Sequence, residues 1–275
     1  MKLSVVVVNY NTRDLLRDCL QSLIDSTLQA EVIVVDNASS DGSTAMVADE
    51  FPSVKLLAQP MNTWFCGGNN IGLAAACGKY VLLLNPDTVV QPDALAKLVT
   101  FMEEAPGYAG VTAQLRYPDD SIQRTCSRIP SYAYLLVMHT PLKWLLPAYT
   151  ARLQAHHWYA DEDFGRDVSR DVAVLPGSCL LMRRRDIQLD SQLLLYFPED
   201  DLAQRFANRK FRFLAEAQIT HREKSSTRSW LATRIYFRDM LVYTRKHHGM
   251  WRTALLWALT RPLWVGMWLK ARPTG

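Results

Sequence analysis

The sequence predicts an α/β protein: a mostly parallel central sheet flanked by helices, with a helical C-terminal extension. Three observations carry this. Short apolar runs alternate with helix-period patterns over the first ~115 residues, as repeated strand–helix units do. A polar cluster begins where several of the runs stop: "NYNT", "DNASSDGS" and "NPDT". The last part of the chain is Trp-rich and basic, and reads as helix.

Strands are expected at residues 3–8, 32–35, 54–57, 81–84 and 110–113, and helices at 14–26, 43–51, 70–77 and 93–104. In the first helix Leu15, Leu16, Cys19, Leu20 and Leu23 share one face and would cover the sheet, while Arg13, Arg17, Asp18 and Gln21 would face water. Residues 116–171 are less regular, aromatic and punctuated by Pro. The sheet pattern resumes over 172–184, before the acidic "FPEDDL". Residues 1–229 are expected to form one domain with a nucleotide-binding half, 1–115, and an acceptor and catalytic half, 116–229; residues 230–275 form the extension.

The 275 residues suffice for a full core, and 49% hydrophobic with 21% charged residues describes a folded chain. The five cysteines are widely spaced with no C-x-x-C pair, which fits reduced thiols. The N-terminus lacks the long apolar region and cleavage site of a signal peptide, so a cytoplasmic protein is expected.

The net charge of +4 hides an asymmetry: residues 203–275 carry 15 Lys/Arg against 3 Asp/Glu, and residues 1–202 carry 16 against 24. Basic residues interleaved with Trp and Leu suit the surface of an anionic membrane. Nucleic acid is not expected, because no recognised binding motif accompanies the charge. Arg261-Pro262 interrupts the run "ALLWALTRPLWVGMWL" short of spanning length. Packing of a C-terminal helix on its own domain is the alternative, and the sequence leaves both open.

In an open parallel sheet the strand ends line one crevice, so the three clusters, with Asn9, Tyr10 and Asn11 in the first, should meet there. Asp36 at a strand tip can accept from a base imide or a ribose hydroxyl, or cap a turn. "CGGNN" puts Gly67, Gly68, Asn69 and Asn70 at an expected helix start, where free N–H groups suit a diphosphate. No G-x-G-x-x-G follows the first strand, which argues against a nicotinamide enzyme. Asp87 in "NPDT" is either a turn residue or a hard ligand for Mg²⁺ or Mn²⁺ held largely through substrate phosphates. Glu199, Asp200 and Asp201 are more carboxylates than a helix start requires, and their repulsion can raise one pKa toward that of a general base. His221 is a possible further metal ligand or phosphate contact, with Lys224, Ser225 and Ser226 close behind.

In order, "VVVVNYNT", "VIVVDNASSDGS", "GGNNIGL", "LLLNPDT", "LPGSCLLMRR", "YFPEDDLAQR" and "HREKSST" resemble the inverting glycosyltransferases of family 2, in the branch of rhamnosyltransferases that build bacterial cell-surface polysaccharide. The resemblance covers residues 3–230 and implies the GT-A fold, with a Rossmann-like sheet. It implies that Tyr10 and Asp36 hold the base, Asp87 the metal, His221 the metal or diphosphate, and Gly67 to Asn70 the donor. Gly177 and Ser178 would border the sugar and acceptor. It also implies a dTDP- or UDP-linked sugar donor and a lipid-linked or oligosaccharide acceptor; the basic, Trp-rich C-terminus is what suggests a peripheral place at the inner membrane face.

Three departures stand out. Pro198 fills the first acidic slot of the family's acidic motif, so the base falls on Glu199, or on Asp200 in an alternative alignment, ahead of Asp201. Trp64 and Phe65 stand where smaller or single aromatic residues are usual, which would alter the donor or acceptor pocket; Trp64 and Asp201 are expected in the sugar and acceptor pocket with Gly177 and Ser178. Asn85 fills a slot where relatives often carry a second Asp. Two other readings are a non-catalytic relative that binds nucleotide or glycan, and a nucleotidyltransferase, whose basic glycine-rich loop is missing.

Overall fold

The computed structural model of the chain describes residues 1–223 and 230–271. Among the described residues nine strands form one sheet: β1 Leu3–Asn9, β2 Glu31–Asp36, β3 Lys55–Ala58, β4 Tyr80–Leu84, β5 Thr88–Val90, β6 Tyr108–Arg116, β7 Arg170–Val172, β8 Cys179–Arg183 and β9 Lys210–His221. The helices are α1 Arg13–Ile24, α2 Ser43–Glu50, α3 Trp64–Ala75, α4 Ala94–Glu104, α5 Tyr132–Met138, α6 Leu142–Leu145, α7 Pro147–His157, α8 Pro198–Arg205, α9 Trp230–His248 and α10 Met250–Ala271.

The strand order is β3-β2-β1-β4-β8-β6-β9-β5, with β7 also on β9. The first four strands pair in parallel through strand–helix crossovers. They are buried on both faces, which is why they are continuous apolar runs and not alternating ones. Alternate residues feed two cores. Val5, Val7, Leu82 and Leu84 meet α1, α2 and α4 on one side. Val6, Ile33, Val35, Val81 and Leu83 meet α3 and the C-terminal half on the other.

Past β4 the sheet becomes mixed. β8 runs antiparallel between β4 and β6, and β9 runs parallel to β6 but antiparallel to β5 and β7. The apolar segment 172–184 is therefore two strands: β7 ends at Val172, β8 starts at Cys179, and the turn between them carries Gly177 and Ser178. β5 and β9 are not foreseen from the sequence. Together they matter most for the site, because Thr88 pairs with His221 and so sets Asp87 beside it.

The helix expected from Asn70 begins at Trp64 instead. It lies hard against β1: a Cβ on Gly68 would stand 2.7 Å from Val8 Cγ1, and one on Gly72 2.2 Å from Val6 Cγ1. The glycines serve this close packing, which corrects the expectation of free amides at Gly67 to Asn70. Asn69 donates to the Phe65 carbonyl, and the Asn70 side chain clamps Leu189 through its carbonyl at 2.9 Å and its N–H at 3.0 Å.

α9 packs on the second half of the domain, with Met240 and Tyr243 fully buried. Its buried Asp239 carboxylate accepts the N–H groups of Leu194, Leu195 and Tyr196 at 2.9–3.0 Å. Among the described residues no helix is long and apolar enough to cross a membrane.

Candidate active site

The carboxyl ends of β1 and β2 are laced together. Asn9 Nδ2 donates to Asp36 Oδ2 at 2.7 Å, the Ser39 N–H donates to Asp36 Oδ1 at 2.8 Å, and the Ser40 N–H donates to Asn11 Oδ1 at 2.7 Å. The "NYNT" and "DNASS" segments thus meet, as expected. Asp36 is 1% exposed with both oxygens engaged, so here it holds the turn, while Tyr10, next to Asn9 in sequence, is 50% exposed. By register Val7 faces Leu84 and Asn9 faces Asp36, which sets the "NPDT" tip at the same edge of the sheet.

At that tip Asp87 Oδ1 lies 3.3 Å from His221 Nε2. The His221 ring is oriented by Gln123, whose Nε2 donates to the His221 carbonyl at 2.7 Å. That bond turns Gln123 Oε1 toward Nδ1 at 2.9 Å, so Nδ1 carries the proton as donor. A carboxylate oxygen and an imidazole nitrogen at this separation are donor types that a divalent cation takes. The residues fit a hard divalent ion whose remaining ligands come from substrate. Among the described residues no group of three or more His, Cys, Asp or Glu side chains could hold a metal without such help. Asn85 is tied by its N–H to the Ser178 carbonyl at 3.1 Å, which joins the tip to the turn before β8. Lys224, Ser225 and Ser226 lie outside the described residues.

His221 also lines a cavity of about 510 Å³ with Gln123, Gly177, Ser178, Glu199 and Asp200. Pro198 occupies the first turn of α8, where its missing N–H costs nothing, so the departure at this slot does not disturb the acidic motif. Phe197 before it has φ +66, a conformation held by its ring stacking on Tyr243 at 5.3 Å. The Glu199 carboxylate rests against the Gly177 backbone: a Cβ there would stand 1.8 Å from Glu199 Oε1. Burial pushes the Glu199 carboxyl up to about 7, opposed by hydrogen bonds from its own N–H and that of Gly177. Asp200 is pushed up to about 8, by burial first and then by the charges of Glu199 and Asp201.

Two expected pocket residues lie elsewhere. Asp201 is fully buried and turned toward α9, where Lys246 Nζ and His247 Nε2 reach Oδ1 at 2.6 and 2.8 Å. Its neighbours in the acidic run face the cavity because successive helical residues point about 100° apart. Trp64 does not line the cavity; with φ +63 it starts α3, its N–H donating to Asn62 Oδ1 at 2.8 Å. Phe65 is the aromatic neighbour of the turn, with Cζ 3.1 Å from where a Gly177 Cβ would be. Sequence reasoning missed Gln123, Arg124, His157 and Trp158, all of which line the cavity. They come from the irregular segment 116–171, where no periodicity marks them.

The chain matches the profile described as Glycosyl transferase family 2 over residues 4–187, well over half its length. The N-acetylglucosaminyl-diphospho-decaprenol L-rhamnosyltransferase of Mycobacterium tuberculosis (strain ATCC 25618 / H37Rv) is 26% identical over 94% of this chain and 89% of its own. Two solved structures share the fold. The mannosyltransferase PcManGT from Pyrobaculum calidifontis, in complex with GDP-Man and Mn²⁺, has a TM-score of 0.59 at 17% identity, covering 100% of this chain and 76% of its own. S. aureus TarS has a TM-score of 0.55 at 17% identity, covering 89% of this chain and 40% of its own. With this profile match and this mixed α/β sheet, the protein is a glycosyltransferase and belongs to glycosyl transferase family 2.

Proposed function

We propose that the protein transfers a sugar from a dTDP- or UDP-linked donor to a lipid-linked or growing glycan acceptor in cell-surface polysaccharide synthesis, working peripherally at the inner face of the membrane. The observation that carries this is that His221, which meets Asp87 at 3.3 Å, lines one cavity with Glu199 and Asp200. The mycobacterial relative, named as an L-rhamnosyltransferase, supports dTDP-L-rhamnose as the donor.

In this reading Asp87 and His221 hold Mg²⁺ or Mn²⁺, and the ion when bound neutralises the departing diphosphate. Tyr10 offers an exposed ring to the base at the edge that Asn9, Asn11 and Asp36 shape. Glu199 takes the proton of the acceptor hydroxyl as its oxygen attacks the anomeric carbon. The bond from that carbon to the phosphate oxygen breaks, its electron pair leaves with the nucleoside diphosphate, and the configuration inverts. Glu199 is the better base because its carboxylate rests on the Gly177 backbone at the turn that borders the cavity; burial raises the carboxyls of both Glu199 and Asp200, toward the range a general base needs.

The test is release of nucleoside diphosphate from dTDP- and UDP-sugars with a diphosphate-linked sugar acceptor, with and without Mn²⁺. Glu199→Gln should retain donor binding and lose turnover; turnover unaffected by that change would overturn the assignment of the base.

A further inference from the structure

Two helical elements remote from each other in sequence expose apolar side chains. Residues 144–149, which bridge α6 and α7, are all exposed, with Trp144 at 63% and Leu145 at 72%. On α10, Trp251 is 86% exposed, Trp257 51% and Leu255 49%; Ala254, Ala258 and Pro262 extend the stripe. Soluble surfaces seldom keep so much large apolar area uncovered.

The two elements are parts of one helical layer. Tyr132 Oη on α5 donates to the Arg252 carbonyl on α10 at 2.9 Å, and His139 Nε2 at the end of α5 meets Tyr236 Oη on α9 at 2.6 Å. The charge is one-sided as well. Neither residues 132–158 nor residues 240–275 contain an Asp or Glu, whereas Arg152, Arg245 and Arg252 are exposed within them. Trp, Tyr and Leu interleaved with unopposed cations match the interface of an anionic bilayer, where rings settle at headgroup depth.

We infer that the 144–149 segment and the exposed stripe of α10 together form the surface by which this protein docks on an anionic phospholipid bilayer. The fold gives this surface a consequence for the site. α7 leads from the apolar segment to His157 and Trp158 in the cavity wall, over 11 residues or about 16 Å. A headgroup-linked acceptor held in the bilayer would need to project about that far to reach Glu199. This deepens the proposed function, since it says how a lipid-linked acceptor is met, and it rests on that reading only for this last step.

The experiment is co-sedimentation of the full chain with vesicles of phosphatidylcholine alone and of phosphatidylcholine with 30% phosphatidylglycerol. The inference predicts binding to the anionic vesicles that weakens at least 10-fold in W144A/L145A and, separately, in W251A/W257A. Both variants should keep the parent's melting temperature, and each should restore binding when the apolar pair is replaced by Phe. No binding to anionic vesicles, or a loss confined to one of the two variants, overturns the two-element surface. Binding needs no sugar substrate, so its failure is distinct from failure of nucleoside diphosphate release, which would strike the proposed function alone.

Discussion

Gly177→Ala perturbs the account where it is most specific. The added methyl would stand 1.8 Å from Glu199 Oε1 and 3.1 Å from Phe65 Cζ. Van der Waals contact lies near 3.4 Å, so the carboxylate must retreat by about 1.5 Å or the turn must shift by as much. Misplacing a reacting group by about 1 Å costs on the order of 100-fold in rate. The same retreat loosens the Gly177 N–H bond that opposes the effect of burial, so the Glu199 carboxyl should titrate above about 7. The assay is kcat across pH 5.5–9 with saturating donor, alongside donor affinity and melting temperature. The expected result is a kcat reduced about 100-fold, an acidic limb moved to higher pH, and an unchanged donor affinity. A kcat within 2-fold of the parent, in a folded protein, would refute Glu199 as the group held by this turn.

Other outcomes follow from the same geometry. Both Glu199 and Asp200 titrate higher in the folded chain than in the unfolded one, so the folded state holds extra protons from about pH 4 to about pH 8 and its stability falls as pH rises through that window. Asp200→Asn should therefore raise the melting temperature at pH 8.5, by an amount equivalent to at least about 1 kcal/mol, and leave it unchanged at pH 3.5. Gln123→Leu removes the group that orients His221, and should weaken Mn²⁺-dependent donor binding by about 10-fold or more while sparing the fold, as read by calorimetry. Asp239→Ala strips three backbone N–H groups of their buried acceptor and should cost about 3–5 kcal/mol in denaturant unfolding, with turnover falling because α8 loses its approach.

The N-terminal half was legible because its physics is local. Parallel strands buried on both faces are continuous apolar runs, and amphipathic helices such as α1 separate them, so β1 to β4 appear within a residue or two of their expected places. α3 was misplaced because Trp64 to Cys66 show no helical periodicity; the early start depends on Asn37, which accepts from Thr63 and donates to Trp64 across the fold. Asp87 and His221 could be named from sequence, but their contact depends on the β5–β9 pairing, which joins residues as far apart as Thr88 and His221 and leaves no local trace. For the acidic run the helical phase decides: Glu199 and Asp200 reach the cavity, and Asp201 ends under Lys246 and His247 of α9. The cavity wall of Arg124, His157 and Trp158 comes from a segment whose side chains are placed by tertiary contacts, such as the stacking of His157 on Tyr134 at 4.0 Å.

In the proposed mechanism Asp87 and His221 would share a divalent ion with the donor's diphosphate. The direct measurement is thermal stabilisation by dTDP- and UDP-sugars, with and without Mn²⁺, in the parent protein and in Asp87→Asn. The account predicts stabilisation by one nucleotide class only when Mn²⁺ is present, little effect of Mn²⁺ alone, and loss of the metal-dependent part in Asp87→Asn. Equal stabilisation without metal, or an undiminished response in Asp87→Asn, would contradict it.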